Sequence, residues 1–158
     1  SCGVFTKKSS EYLVPEGVNK FNIRVVPKDS VILSFKLTLG RVSITSSDLT
    51  TNEAIAHFVS PKMGLTKEFI YCYLSSFDYG SLGSTSSIAT AVNSKIIKQM
   101  PFIVPHIQIS SLFEKKVCSF FQKLRLLAEE TEALTQLRDT LLPKLISGEL
   151  RLDEITSP

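Results

Sequence analysis

Residues 21–59 carry the hydrophobic patterns of short β-strands, alternating at 21–25 and continuous at 31–35. The predicted strands are residues 21–25, 31–35, 41–44 and 54–59. Turn-forming residues separate them at 27–30 and 45–48, and Ser60-Pro61 ends the last one. The first part of the chain is therefore predicted to be rich in short strands.

Helical patterns follow this region. Thr66 is placed to cap a helix of about ten residues running from Lys67 to Phe77, because a threonine hydroxyl can accept a hydrogen bond from an amide of the first turn. Residues 78–87 are rich in Gly, Ser and Thr and predict a loop. A short helical turn and then an extended, proline-bounded segment at 101–105 are expected next.

From residue 110 onwards the pattern becomes that of a coiled coil. Steps of four and three residues trace a seam through Phe113, Val117, Phe120, Leu124, Leu127, Thr131, Leu134, Arg138 and Leu141, of which seven are apolar. Ser110 or Ser111 is expected to cap this helix, with Glu114 completing a capping box for Ser111, and Gly148 to stop it. A helix over residues 113–141 spans roughly 43 Å. The alternative is that it packs only on its own globular part.

Together these elements predict an α+β fold. A β-rich globular domain covers residues 1–109, the long helix and its end cover 110–148, and a short tail covers 149–158. Thr131 and Arg138 are polar residues at seam positions, where such side chains cost stability but specify register and partner.

The charge is distributed unevenly. Residues 1–110 hold 11 Lys and Arg against 7 Asp and Glu, whereas residues 111–158 hold 7 against 8. The excess is strongest in residues 1–41, with 7 basic against 3 acidic residues. This favours a surface that faces a polyanion, although an ordinary solvated surface is an equally good interpretation.

Several classes of site are disfavoured. Three widely spaced cysteines without a CxxC or Cys/His spacing indicate neither a disulfide framework nor a zinc site, and they favour a cytoplasmic setting. We find no apolar run long enough for a membrane span, no secretory leader, and no nucleotide-binding or nucleophile motif.

His57 and His106 are interpreted as hydrogen-bonded or surface histidines. The residues 80–87 form the one Gly-rich loop with an anion-binding composition, and a plain connector is about equally plausible.

The end of the chain resembles a known family. Residues 137–152, LRDTLLPKLISGELRL, are similar to the closing text of type I restriction-modification DNA specificity subunits. Upstream elements resemble the family in the same order: PKDSVILS at 27–34, TNEAI at 51–55, and GST at 83–85 with MPFIVP at 100–105. The resemblance covers about residues 25–152.

That resemblance implies sequence-specific DNA recognition by a chain that is not itself an enzyme. In this family two target recognition domains are each followed by a long helix, and the two helices pair antiparallel as a spacer between half-sites. The chain resembles the second such unit, and whether it is a fragment or a natural half-subunit stays open. Methyltransferase and restriction subunits are the implied partners, with a self-dimer through the long helix as a further expectation. S-adenosylmethionine would be bound by the methyltransferase subunits, and we expect no cofactor or metal on this chain.

Two sets of residues carry the expected contacts. The DNA-binding candidates, chosen by charge and loop position, are Lys7, Lys8, Lys20, Arg24, Lys36, Arg41, Ser84, Thr85 and Ser86. The helix-pairing candidates are Phe113, Val117, Phe120, Leu124, Leu127, Leu134 and Leu141. The alternative function is a scaffold that docks methyltransferase subunits through the long helix without touching DNA, and the basic excess disfavours it.

Overall fold

The computed structural model of the chain describes residues 3–6, 9, 12–36, 38–61, 64–82 and 92–150. Its elements, in chain order, are α1 (Pro15–Lys20), β1 (Val25–Val26), β2 (Val31–Ser34), β3 (Arg41–Ile44), β4 (Leu49–Thr50), β5 (Ile55–Phe58), α2 (Lys67–Ser76), a 3₁₀ turn (Tyr79–Leu82), α3 (Ser94–Gln99) and α4 (Ile107–Ile146). Short strands followed by helices make this an α+β fold, as the sequence predicts.

The main sheet has three antiparallel strands in the order β3-β2-β5. Val31 in the central strand lies between Ile44 and Phe58, and two residues on, Leu33 lies between Val42 and Ala56. Because alternate residues point to opposite faces of a sheet, these six apolar side chains share one face. We call it the core face.

Helix α2 packs on β2 and β3, and its Ile70 and Leu74 belong to the same buried cluster as the core face. Phe5 adds to this cluster from the N-terminal segment, which forms a parallel bridge to Ile44 at the free edge of β3. Burying large apolar side chains such as these contributes roughly 2 kcal/mol each. The core therefore depends on contacts between segments far apart in sequence.

The region predicted as the first strand is mostly a helix end and a turn, so that prediction is wrong. Residues 15–20 form α1, which begins with a proline at its first position. The amides of Asn22 and Ile23 donate to the carbonyls of Asn19 and Val18 at 3.2 and 3.0 Å, with Asn22 at φ 48°. This is the hydrogen-bond pattern of a Schellman turn, and it ends the helix. Only Val25–Val26 remains extended, paired with β4.

Thr45 fixes the connection between β1 and β2. Its buried hydroxyl accepts from the Ser30 amide at 2.9 Å and donates to the Pro27 carbonyl at 2.8 Å. Asp29 in the same turn adopts φ 64°, and its amide donates to the Thr45 carbonyl at 3.0 Å. The sequence predicts a turn here but not the distant threonine that closes it.

The two helices of the middle region agree with their predictions. The Thr66 hydroxyl accepts from the Phe69 amide at 3.3 Å, as predicted for the cap of α2. Asn93 caps the short α3 with its side-chain oxygen, which accepts from the amides of Lys95 and Ile96. Local side-chain chemistry is sufficient to place both helix starts.

Helix α4 begins at Ile107, three residues before the predicted start, so neither Ser110 nor Ser111 is its cap. His106 precedes it: its carbonyl accepts from the Ile109 and Ser110 amides at 2.9 and 3.1 Å, and its Nδ1 accepts from the Gln108 amide at 3.4 Å. The helix continues through Pro143 to Ile146. Gly148, at φ 72°, follows the end as predicted.

The chain divides into two compact units, Ser1–Phe121 and Gln122–Pro158. The division falls inside α4, so the first turns of this helix belong to the globular unit. Among the residues that the structure describes, no helix has the length and apolar character to cross a membrane.

Candidate nucleic-acid interface

Two of the predicted DNA-binding residues, Lys36 and Arg41, lie at one end of the main sheet. Arg41 begins β3 directly opposite Ser34, the last residue of β2. Lys36 follows Ser34 by two residues, so both cations belong to the β2–β3 hairpin. The hairpin is held by the Gly40 amide, which donates to the Ser34 carbonyl at 3.2 Å, and by the contact between the Ser34 and Thr38 hydroxyls at 3.1 Å. The strand register and the turn together place Lys36 and Arg41 in one region of the hairpin.

Lys36 is already paired within the chain. Its Nζ lies 3.0 Å from Oε1 of Glu53, and both side chains are exposed. The hydrogen bond from Lys36 lowers the pKa of the Glu53 carboxyl, as do a backbone hydrogen bond and the lysine charge. A phosphate that binds Lys36 would therefore meet a carboxylate beside it, a neighbour that the sequence pattern did not reveal.

The other two described candidates, Lys20 and Arg24, flank the turn that ends α1. Lys20 is the last residue of α1, and its Nζ lies 5.6 Å from the centroid of the Phe21 ring. Arg24 is exposed and immediately precedes β1. These two residues and the hairpin cations are the basic candidates that the structure places.

His57 lies in β5, on the face of the sheet opposite the core. Its Nε2 lies 2.6 Å from the Thr51 hydroxyl, which agrees with the interpretation of a hydrogen-bonded histidine. Burial lowers the pKa of His57, and the nearby positive charge of Arg24 lowers it further. Across the described ranges, no group of three or more His, Cys, Asp or Glu could hold a metal ion.

The remaining DNA-binding candidates, Lys7, Lys8, Ser84, Thr85 and Ser86, lie outside the described residues. The start of the Gly-rich loop is described. There the Asp78 carboxylate accepts from the Gly80 amide at 3.0 Å, and the Asp78 carbonyl accepts from the Ser81 amide at 3.2 Å. These two amides are occupied by the protein's own oxygen atoms and are not open to an anion.

The first two helix-pairing candidates pack on the chain's own core. The Phe113 ring meets the Phe69 ring edge-on at 5.6 Å, and Val117 lies against the buried cluster. Phe121, which is not a seam residue, is buried at 9% exposure, with its ring 5.7 Å from that of Tyr71. For these turns of α4, packing on the chain's own core is the correct interpretation.

Beyond these turns the seam is open to solvent. Phe120, Leu124, Leu127 and Leu134 are exposed, and Leu141 is half-buried. The polar seam residues have local partners: the Thr131 hydroxyl donates to the Leu127 carbonyl at 2.7 Å, and Arg138 pairs with Asp139 at 2.6 Å. Helix pairing by these five apolar residues stays a prediction.

Phe21 lies near the basic candidates and is not among the predicted site residues, because the alternating pattern of residues 21–25 predicts a strand. It is instead exposed at the end of α1. The Pro15 start and the Asn22 turn were the signals in the sequence that indicated a short helix here.

Comparison with known proteins agrees with the family resemblance found in the sequence. A sequence model of the family described as type I restriction modification DNA specificity domain matches residues 4–137. The chain is 32% identical over 151 residues to the type I restriction enzyme HindI specificity subunit of Haemophilus influenzae, covering 93% of this chain and 33% of that protein. It is 26% identical over 155 residues to the MjaIX specificity subunit of Methanocaldococcus jannaschii, covering 94% and 35%. The chain thus spans about a third of the length of these curated relatives.

Proposed function

This chain belongs to the type I restriction-modification DNA specificity family, and from that premise we propose that it recognises one half of a bipartite DNA sequence within a type I restriction-modification complex. The family match over residues 4–137 is the observation that carries the proposal. The family provides DNA recognition and is not catalytic, so the expectation that the chain is not an enzyme is confirmed by its membership.

Phosphate contacts by the basic candidates would set the position of the globular unit on the duplex, and base contacts would supply the specificity. Lys36 and Arg41 share a hairpin whose backbone is fixed by hydrogen bonds. Because the hairpin backbone is already ordered, phosphate binding would cost mainly the freedom of the two side chains themselves, which supports a positioning role. Lys20 and Arg24 are the second pair proposed to contact the backbone.

The exposed seam of α4 is proposed to pair with a second long helix, either in a longer chain or in a second copy. Leucine side chains exposed at heptad spacing gain stability when a partner helix covers them. Two recognition units joined in this way would read two half-sites at a spacing set by the helices. The methyltransferase and restriction subunits are the proposed partners. S-adenosylmethionine is proposed to be bound by the methyltransferase subunits, as the family resemblance implies; this chain has neither an FxGxG nor an [ND]PP[YF] segment.

Selection of bound duplexes from random DNA, with the methyltransferase subunits of the same host present, tests the proposed function. We expect enrichment of one short sequence that disappears when this chain is omitted. If methyltransferase subunits bind the chain but no sequence is enriched, the scaffold alternative is supported and DNA recognition is contradicted.

The hairpin cations have their own test. Replacing Lys36 and Arg41 together by alanine should flatten the dependence of log affinity on log salt concentration by roughly two units, because about one counterion is released for each phosphate contact. Replacing Lys115 and Lys116, two exposed lysines of α4, removes the same charge and should leave the slope unchanged. An unchanged slope in the hairpin variant would remove Lys36 and Arg41 from the interface.

A further inference from the structure

Phe21 is an aromatic residue that its own chain leaves largely uncovered. Its side chain is 70% exposed, whereas other aromatic rings of the fold, such as Phe69 and Phe113, are half-buried and pack against each other. An exposed ring presents apolar area that gains free energy when another surface covers it. The identity of that surface follows from the surroundings of the ring.

The turn that presents Phe21 is fixed at both ends. On its N-terminal side, the Phe21 amide donates to the Gly17 carbonyl at 3.1 Å, and the Asn22 and Ile23 amides close the end of α1. On its C-terminal side, β1 pairs with β4, and Val26 is fully buried. A ring with two side-chain torsions on such a turn pays little conformational entropy when it inserts into a partner.

The immediate surroundings of the ring are positively charged. The Lys20 ammonium lies 5.6 Å from the ring centroid, within the range of a cation–π contact. Arg24 lies three residues further along the chain and Lys28 in the following turn, while the acidic residues of the segment 15–29 are Glu16 and, directly after Lys28, Asp29. An apolar protein surface covering Phe21 would have to desolvate the neighbouring ammonium, which is costly. A nucleic acid offers a base to the ring and a phosphate to the ammonium.

We infer that Phe21 contacts the bases of the DNA target, between backbone contacts made by Lys20 and Arg24. The inference rests on the proposed function and makes it more specific. Aromatic and other apolar side chains contact bases by inserting at a base step or by touching a thymine methyl group, and both modes depend on the sequence that the ring meets. Phe21 is therefore a specificity-determining residue, whereas the two cations bind sequences alike.

The test measures the preference for particular base pairs separately from the contribution of charge to DNA affinity. Phe21→Ala is compared with the wild-type chain on duplexes enriched by the selection described above, with each base pair of the site replaced in turn. Loss of the ring should lower the affinity for the enriched site roughly 10-fold and make binding indifferent to one or two adjacent base pairs. The salt slope should stay unchanged because no charge is removed. Phe21→Leu should retain part of the discrimination.

Leu126→Ala is the control, since this apolar side chain is 64% exposed on α4 and lies off the heptad seam. It should leave the preference at every base pair unchanged. Equal discrimination by Phe21→Ala and wild type would overturn the inference and leave the proposed function standing. Equal weakening on all sequences would also overturn it, because Phe21 would then only position the backbone. If the wild-type chain enriches no sequence, the proposed function fails and this inference with it.

Discussion

Ser110 is a polar residue buried at 2% exposure inside α4, and its hydroxyl has no hydrogen-bond partner within the described part of the chain. A buried hydroxyl without a partner loses its bonds to water and gains nothing in return. Residues of this kind mark positions where the native sequence does not maximise stability.

We predict that Ser110→Ala stabilises the chain by about 1 kcal/mol, because it removes the unsatisfied hydroxyl and improves helix propensity. Thermal unfolding should show a midpoint a few degrees higher. Ser111→Ala, at the exposed neighbouring position, changes helix propensity alone and should give a smaller gain. Equal gains from the two variants would mean that burial of the Ser110 hydroxyl costs nothing.

His57 makes stability depend on pH. Burial and then the charge of Arg24 place its folded pKa below the ordinary value of 6.5. The folded state thus favours the neutral ring, and the unfolded state takes up a proton first as the pH falls. Stability should be complete above pH 6.5 and decrease as the pH falls from there through the folded pKa.

Urea unfolding of wild type and His57→Gln at pH 7.5 and 5.5 measures this effect. Carboxylates titrate in both proteins, so the difference between the two proteins isolates the histidine. The loss of stability between the two pH values should be smaller in the variant. A loss of the same size in both would contradict the assignment.

At the scale of elements, the first turns of α4, which belong to the globular unit, have one face that packs on its core and another that stays exposed. Val117 and Phe121, four residues apart, pack on the core, and Phe113 one turn earlier meets the Phe69 ring, whereas the heptad seam takes Phe120 in place of Phe121. An ideal helix has 3.6 residues per turn and drifts by about 20° for each heptad relative to a 3.5-residue repeat. The core can therefore bury Phe121 although the heptad seam contains Phe120, and the helix geometry does not have to change.

This difference gives a matched pair of substitutions in adjacent residues. Phe121→Ala should lower the free energy of unfolding by about 3 kcal/mol, because it leaves a cavity beside Tyr71. Phe120→Ala should change it by less than about 0.5 kcal/mol in dilute protein, since that ring is exposed. Denaturant unfolding at low protein concentration provides both values. Similar losses from the two variants would contradict the assigned helix face.

At the scale of the whole molecule, the proposed self-pairing through the seam predicts an association that depends on concentration. Leu124→Asp with Leu127→Asp places two charges on the seam and should shift the sedimenting species to the monomer mass. Leu126→Asp with Leu137→Asp introduces the same charges at exposed positions off the seam and should leave the association intact. A seam variant that keeps the wild-type mass would count against self-pairing.

Much of the fold could be predicted from local sequence. β2, β3 and β5 agree with their predicted segments because alternating or continuous apolar runs bounded by turns suffice to specify short strands. α2 has its predicted cap, and Gly148 follows the end of α4 as expected. By contrast, the strand predicted for residues 21–25 is wrong because a Schellman turn depends on the hydrogen bonds of a few residues and leaves little periodic signal.

The candidate site was predictable in composition but not in arrangement. The order of family-like segments in the sequence is sufficient to indicate the family, and the basic excess favours a surface that faces a polyanion. Strand register and turn geometry pair Lys36 with Glu53 and place Arg24 near His57. They also leave Phe21 exposed between two cations. Contacts between distant segments carry no periodic signal along the chain.

By itself, then, the sequence determined the α+β class, the strands β2, β3 and β5, the helix α2, and the heptad spacing of α4, since each depends on residues close together in the chain. Tertiary structure alone decided which turns of α4 join the core, which cations keep a partner, and which aromatic ring reaches solvent. The physical reason is that burial and pairing depend on which distant segments come into contact, and the local sequence pattern does not specify those contacts.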